Sequence, residues 1–131
     1  MISPSEKASR RREQLKAAAD AYFNGLAEKN FAAVPYANNV KLRTPLAPGG
    51  SDKPIQGKTQ VLKFFAGLFP VLGTTKVVDH FINDTMTAIL TKAEVSMVQP
   101  AVTLRVADLF YVNEKGEITE QENHYDSRAA V

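Results

Sequence analysis

The sequence predicts an α+β domain, and three observations carry that prediction. Apolar residues recur at helical spacing as far as Phe69, a two-residue period takes over from Thr74 onward, and Asn- and Gly-bearing turns separate the segments that follow. Helices first and antiparallel strands afterwards give a strongly curved sheet with the helices packed on one face. At 131 residues the chain is read as one domain, 1–131, long enough to bury roughly two-thirds of its unfolded surface.

Ser3-Pro4-Ser5-Glu6 has the spacing of a capping box with proline at the first helical position, so a helix starts there. Leu15, Ala19, Tyr22 and Leu26 line its packed side with Ala18 and Phe23 beside them, whereas Arg11, Glu13, Lys16 and Asp20 lie mostly elsewhere on the wheel. Gly25 costs about 1 kcal/mol inside a helix, and Glu28-Lys29-Asn30 ends the element. A second, short helix is expected over 31–36. Val40, Leu42 and Thr44 alternate with Asn39, Lys41 and Arg43 in a half-buried strand that Pro45 closes. Pro45, Pro48, Gly49, Gly50 and Pro54 leave a stretch of about ten residues without periodicity, a length often tied to function. Val61, Leu62, Phe64, Phe65, Leu68 and Phe69 form a third helix that Pro70 terminates. Segments 77–82, 86–98, 101–112 and 117–125 then read as strands, with Asn83-Asp84 and Asn113-Glu114-Lys115-Gly116 as turns.

Composition removes several function classes. Sixteen basic and fourteen acidic side chains leave a net charge of +2, too small an electrostatic footprint for nucleic acid. Arg10, Arg11 and Arg12, with Lys7 and Lys16, are diluted by Glu6 and Glu13 and read as a solvated helix face. Zero cysteines exclude disulfides, thiolate catalysis and cysteine-held metals, and two histidines leave little for any other metal site. There is no glycine-rich phosphate loop, serine nucleophile elbow or metalloprotease helix, so no metal and no cofactor is expected. The longest mostly apolar stretch, 64–73, contains Pro70 and falls short of a membrane span. Asp20 and Asn24 interrupt the apolar run that a secretory signal would need, and the chain is read as cytoplasmic.

Asp108 is the most informative residue. It shares a strand face with Val102, Leu104, Val106, Phe110 and Val112, so a carboxylate lies on an apolar stripe. Burying an unpaired charge costs several kcal/mol, so Asp108 must find a donor such as Arg105 or a backbone amide, turn outward at a bulge, or keep its proton through a raised pKa. Tyr22, on the packed stripe of the first helix, reads as a core aromatic whose hydroxyl needs a partner. The last strand offers two faces. Thr119, Gln121, Asn123 and Tyr125 would line a cavity with amides and hydroxyls. Ile118, Glu120, Glu122, His124 and Asp126 would instead bring in His124 and Asp126 as an acid–base pair. Sequence alone leaves both open. His80 reads as a satisfied or surface histidine, since no second ligand stands at metal spacing.

Several segments resemble the nuclear transport factor 2-like superfamily, which includes SnoaL-like polyketide cyclases and ketosteroid isomerases: Tyr22-Phe23-Asn24-Gly25-Leu26 with Asn30-Phe31, Ile55-Gln56-Gly57-Lys58, Val106-Ala107-Asp108-Leu109-Phe110, Gly116-Glu117-Ile118 and His124-Tyr125-Asp126. The resemblance covers almost the whole chain. It implies a cystatin-like, cone-shaped barrel of a curved, mainly antiparallel sheet, three N-terminal helices enclosing a pocket, a small apolar ligand, and a homodimer formed through the convex sheet faces. Tyr22 and Asp108 match the tyrosine and protonated aspartic acid with which ketosteroid isomerase holds an enolate. Thr44 matches the position of its general base and cannot serve as one near neutral pH. Asp126 resembles the late aspartate of cyclases and epoxide hydrolases. The expectation is a pocket protein acting on a small apolar carbonyl compound as an isomerase, cyclase or hydratase. Tyr22, Asp108, Asp126 and His124 would be catalytic, and Thr44, Phe65, Phe110, Asn123 and Tyr125 would bind the ligand. The alternative is a non-catalytic ligand-binding or dimeric interaction module of the same fold.

Overall fold

The computed structural model describes residues 2–130. Helix α1 (Pro4–Glu28) begins as its cap predicts: the Ser3 side chain accepts from the Glu6 amide at 3.1 Å, and Pro4 occupies the first turn. It ends at Lys29, left-handed at φ 56°, whose N–H returns to the carbonyls of Gly25 and Leu26. The chain then folds back so closely that a Cβ on Gly25 would stand 2.6 Å from the Phe31 ring. The glycine makes that approach possible.

The second short helix is not formed. Asn30 accepts from the Ala32 amide at 2.9 Å in a side-chain turn, and Pro35, which has no N–H, leads directly into β1 (Tyr36–Arg43). Two α-helices are therefore present among the described residues where three were expected, the other being α2 (Lys58–Leu68). The bulky apolar residues of 61–69 do form α2, and Pro70 sits in the single 3-10 turn that follows it. A two-residue strand, β2 (Ile55–Gln56), closes the long loop by pairing antiparallel with β1, and it is too short to carry a period in the sequence.

Strands β3 (Leu72–Ile82), β4 (Ala88–Val98), β5 (Ala101–Val112) and β6 (Ile118–His124) complete a curved six-stranded sheet in the order β2-β1-β6-β5-β4-β3. Among the described residues only the β1–β6 pairing is parallel. β3 starts earlier than its apolar pattern indicates, because hydroxyl contacts extend it: the Thr75 side chain donates to the Phe23 carbonyl at 3.0 Å and the Thr74 amide donates to the Ser96 hydroxyl at 2.6 Å. Register shifts in β1, β3 and β6 pairings bend the sheet. Its inner face buries Ile89, Ala93, Val95 and Met97 on β4 and Leu104, Val106, Phe110 and Val112 on β5. The α1 stripe of Leu15, Ala18, Ala19, Tyr22, Phe23 and Leu26 packs into the same core.

The two hairpin turns are built as their asparagines predict. Asn83 Oδ1 accepts from the Thr87 and Ala88 amides, and Asn113 Oδ1 from the Lys115 and Glu117 amides. Arg11 corrects the sequence reading, because it is not part of a solvated face. Its guanidinium donates to the carbonyls of Met86 at 2.8 Å, Val112 at 2.8 Å and Asn113 at 2.9 Å, and to Gln14, pinning α1 to both turns. No helix among the described residues is long and apolar enough to cross a membrane.

Candidate functional site

Strand pairing sets the site. Asp108 on β5 stands directly opposite Asn123 on β6 and Thr91 on β4, all on the inner face. Asp108 is 2% exposed, and its Oδ1 has no hydrogen-bond partner among the described residues. Arg105 does not help, since it has the opposite strand parity and lies exposed on the outer face. Burial pushes the Asp108 carboxyl well above the ordinary carboxylate range, against the lowering effect of the His124 backbone N–H. Burial therefore favours the protonated form of this group relative to an exposed aspartate.

Tyr22 reaches the same place from α1. Its ring lies edge-on to Phe65 and Phe110, with centroids 5.4 and 5.3 Å away. Burial, and then the proximity of Asp108, raise its phenol well above the usual value, while the nearby Gln121 side chain opposes them. Tyr22 therefore keeps its proton and remains a donor.

A cavity opens between α1, α2 and the sheet, lined by Tyr22, Thr44, Phe65, Asp108, Asn123 and Tyr125, with aliphatic side chains over the rest of its wall. Leu46, from the long loop after β1, is among them, so that loop contributes to the lining. The centre of a water-sized sphere sweeps about 40 Å³, inside about 470 Å³ of space between atoms that includes open solvent at the mouth. The smaller figure measures what fits: a few waters, or a slim ligand once flexible side chains such as Met97 and Leu68 give way.

The structure chooses between the two faces of β6. Gln121 and Asn123 point inward and are buried, and Tyr125 follows them into the cavity lining. That parity sends His124 and Asp126 outward, which corrects their assignment to the site. His124 is exposed, with Nε2 3.8 Å from Glu122. Asp126 is bound to the Arg128 guanidinium at 2.9 Å, which holds its carboxyl below the ordinary range. Phe110 also departs from its assigned role. At 0% exposure it backs Tyr22 as part of the core and does not line the cavity. Thr44 lines it, with Oγ1 3.4 Å from the Tyr125 hydroxyl, and Phe65 forms part of its wall.

One functional element escaped the sequence reading. The Tyr36 hydroxyl donates to Gln121 Oε1 at 2.6 Å, and Gln121 Nε2 donates to Asn123 Oδ1 at 3.0 Å. A buried phenol must place its proton, and this line orients both amides so that Asn123 offers its NH2 to the cavity. Tyr36 was hidden because its segment read as helical, although the alternation of Gln121 with Asn123 was visible. Burial favours the protonated forms of both Asp108 and Tyr22, so each favours the role of a donor in the lining.

No family model matches the chain, and no curated protein matches it in sequence. Solved structures do match in three dimensions. A steroid delta-isomerase from Pseudomonas aeruginosa aligns over 86% of this chain and 80% of its own, at TM-score 0.68 and 14% identity. A Mycobacterium tuberculosis protein in complex with estradiol-17beta-hemisuccinate aligns over 88% and 96%, at TM-score 0.71 and 16% identity. The epoxide hydrolase/cyclase-like enzyme SalBIII, of pyran ring formation in the polyether salinomycin, aligns over 93% and 95%, at TM-score 0.72 and 14% identity. At these identities the likeness establishes the fold.

Proposed function

The chain has the fold of the nuclear transport factor 2-like superfamily, and within that fold we propose a pocket protein that binds a small, largely apolar carbonyl compound. The observation that carries this reading is Asp108, a buried acid with one unpartnered oxygen beside an otherwise apolar cavity. Its carboxylic proton and the Tyr22 hydroxyl donate to the carbonyl or enolate oxygen of the ligand, and the Asn123 NH2 stands next to them. A donor set held in a water-poor wall stabilises charge on that oxygen without having to reorganise. The narrow void selects a slim molecule, and the estradiol derivative held by the similar Mycobacterium tuberculosis protein supports an apolar body with a polar handle.

An isomerase, cyclase or hydratase also needs a proton acceptor, and one observation favours the binding module over these enzymes. By the family resemblance Thr44 matches the position of the general base, and His124 and Asp126 are not in the cavity lining, so among the lining side chains Asp108 is the one carboxyl, and burial favours its holding a proton. Phe81 and Val78 are exposed apolar side chains on the outer side of β3, and a second copy of the chain is the partner we assign to that face, the homodimer residing in the cytoplasm.

Titration with 4-nitrophenol, whose absorption band reports hydrogen bonding to its oxygen, tests the site. Saturable binding with a shifted band is expected, weakened about tenfold in Asp108→Asn because a carboxylic O–H donor is exchanged for a weaker amide N–H. Equal affinity in the variant refutes the assignment. Deuterium exchange at the α-carbon of cyclohexenone separates the two readings: exchange at the buffer rate supports the binder, and acceleration that Asp108→Asn removes restores the enzyme.

A further inference from the structure

Two buried amides, Gln121 and Asn123, follow one another on the inner face of β6. A carboxamide has an acceptor end and a donor end of nearly equal size, so packing does not decide which end faces which way. Hydrogen bonds decide it. Asn123 belongs to the cavity lining, whereas Gln121 and Tyr36 stand behind that wall. The end that Asn123 turns inward determines whether a ligand atom beside it meets a donor or an acceptor.

Tyr36 gives the line its direction. Its side chain is buried at the start of β1, and among the described residues the partner of its hydroxyl is Gln121 Oε1, 2.6 Å away. Burial, and then the nearness of Asp108, raise this phenol well above its usual value, so it holds its proton at neutral pH. That proton needs an acceptor in a wall without water, so Gln121 turns its oxygen toward Tyr36. The Gln121 NH2 then donates to Asn123 Oδ1 at 3.0 Å, which leaves the Asn123 NH2 for the cavity. If both amides were turned over, the bond between them would survive in reverse, and the Tyr36 proton would lose its acceptor. Of the contacts in this line, the one with Tyr36 is what separates the two arrangements.

We propose that Tyr36 is a positioning residue that sets the polarity of the cavity wall: through Gln121 it fixes Asn123 as a donor, and the site thereby selects a ketone over the alcohol of the same skeleton. This rests on the reading of the cavity as a site for a small apolar carbonyl compound. A ketone oxygen carries two lone pairs and no proton, so it accepts from Asp108 or Tyr22 and from Asn123 together. An alcohol brings an O–H of its own, and the Asn123 NH2 offers that proton no acceptor. A site built to satisfy one polarity rejects the other because a buried polar group is left unpaired. Tyr36 acts here without touching the ligand, since it stands outside the lining.

The readout is the ratio of the affinities of cyclohexenone and cyclohexenol for the intact protein, measured by NMR titration. Comparing that ratio between variants cancels the solvation of the free ligands. Tyr36→Phe removes the hydroxyl and frees both amides to turn, so the preference for the ketone is expected to fall about fivefold, the effect of about one hydrogen bond. A change in cavity shape would weaken both ligands and leave the ratio standing. In Asn123→Ala the preference is expected to be low already, and adding Tyr36→Phe is expected to change it no further. A folded Tyr36→Phe with the wild-type ratio, or a change of equal size with and without Asn123, overturns the proposal. A second measurement needs no Tyr36 variant: the side-chain NH2 resonances of Asn123 in wild type are expected to shift as cyclohexenone saturates the site. Resonances that stay in place overturn the proposal as well. Failure of cyclohexenone to bind wild type removes the underlying reading together with this one, whereas bound ketone with a ratio indifferent to Tyr36 removes only the role of Tyr36.

Discussion

Arg11 and Asp108 are both ionisable groups drawn toward the same core from opposite sides, and the protein treats them differently. The Arg11 guanidinium meets three backbone carbonyls and Gln14, so the end of the sheet bearing the two Asn turns is closed by matched donors and acceptors. Asp108, farther along β5, is sealed among apolar side chains with one oxygen unmatched. The difference teaches where stability and function reside in this fold. One end spends its polar groups on holding α1 against the sheet, and the middle leaves one carboxyl oxygen unmatched, the one we assign to a ligand.

Removing the Arg11 clamp should break the comparison with the largest effect. Arg11→Ala leaves three carbonyls short of a donor and is expected to cost about 2–3 kcal/mol of stability in urea unfolding, without selective loss of phenol binding. A variant as stable as wild type would make the two ends equivalent.

Asp108→Asn should act in the opposite direction. Because burial raises the Asp108 pKa above its unfolded value, the unfolded chain gives up this proton at lower pH than the folded one. Wild-type stability therefore falls as pH rises from about 3.9, the ordinary aspartate value, until the folded carboxyl ionises, at up to about 1.4 kcal/mol per pH unit for one proton. Asn cannot ionise, so the variant is expected to lose that slope and to be more stable than wild type at neutral pH. Unfolding curves across pH check both, and parallel slopes in the two proteins would contradict a buried acid.

The smallest effects sharpen the boundary of the site. His124→Ala and Asp126→Ala lie on the exposed side of the β6 end and should each change stability by less than about 0.5 kcal/mol, leaving 4-nitrophenol affinity unchanged. Loss of binding in either would return that residue to the cavity.

Local features were legible because their physics is local. Ser3 reaches Glu6 within one helical turn, and the asparagines of the two hairpins bond their own neighbours. Period two placed Asp108 in an apolar row before any coordinates, and the structure buries it there. The segment 31–36 misled because its apolar residues fit a helix, whereas Pro35 and the Asn30 turn decide against one. Arg11 was read as solvated because its carbonyl partners lie 75 to 102 residues away in the chain. His124 and Asp126 could not be placed because both faces of β6 carry polar residues, so hydrophobicity gave no direction.

By itself the sequence determined the start and stripe of α1, the two Asn turns and the place of one carboxyl in an apolar row, since caps, turns and periodicity act over a few residues. Only the tertiary structure decided which face of β6 looks inward, that Tyr36 and Gln121 orient Asn123, and that His80 on β3 stands opposite Thr91 on β4. Those outcomes depend on strand register and on contacts between distant segments, where a shift of one residue would turn every side chain to the other face.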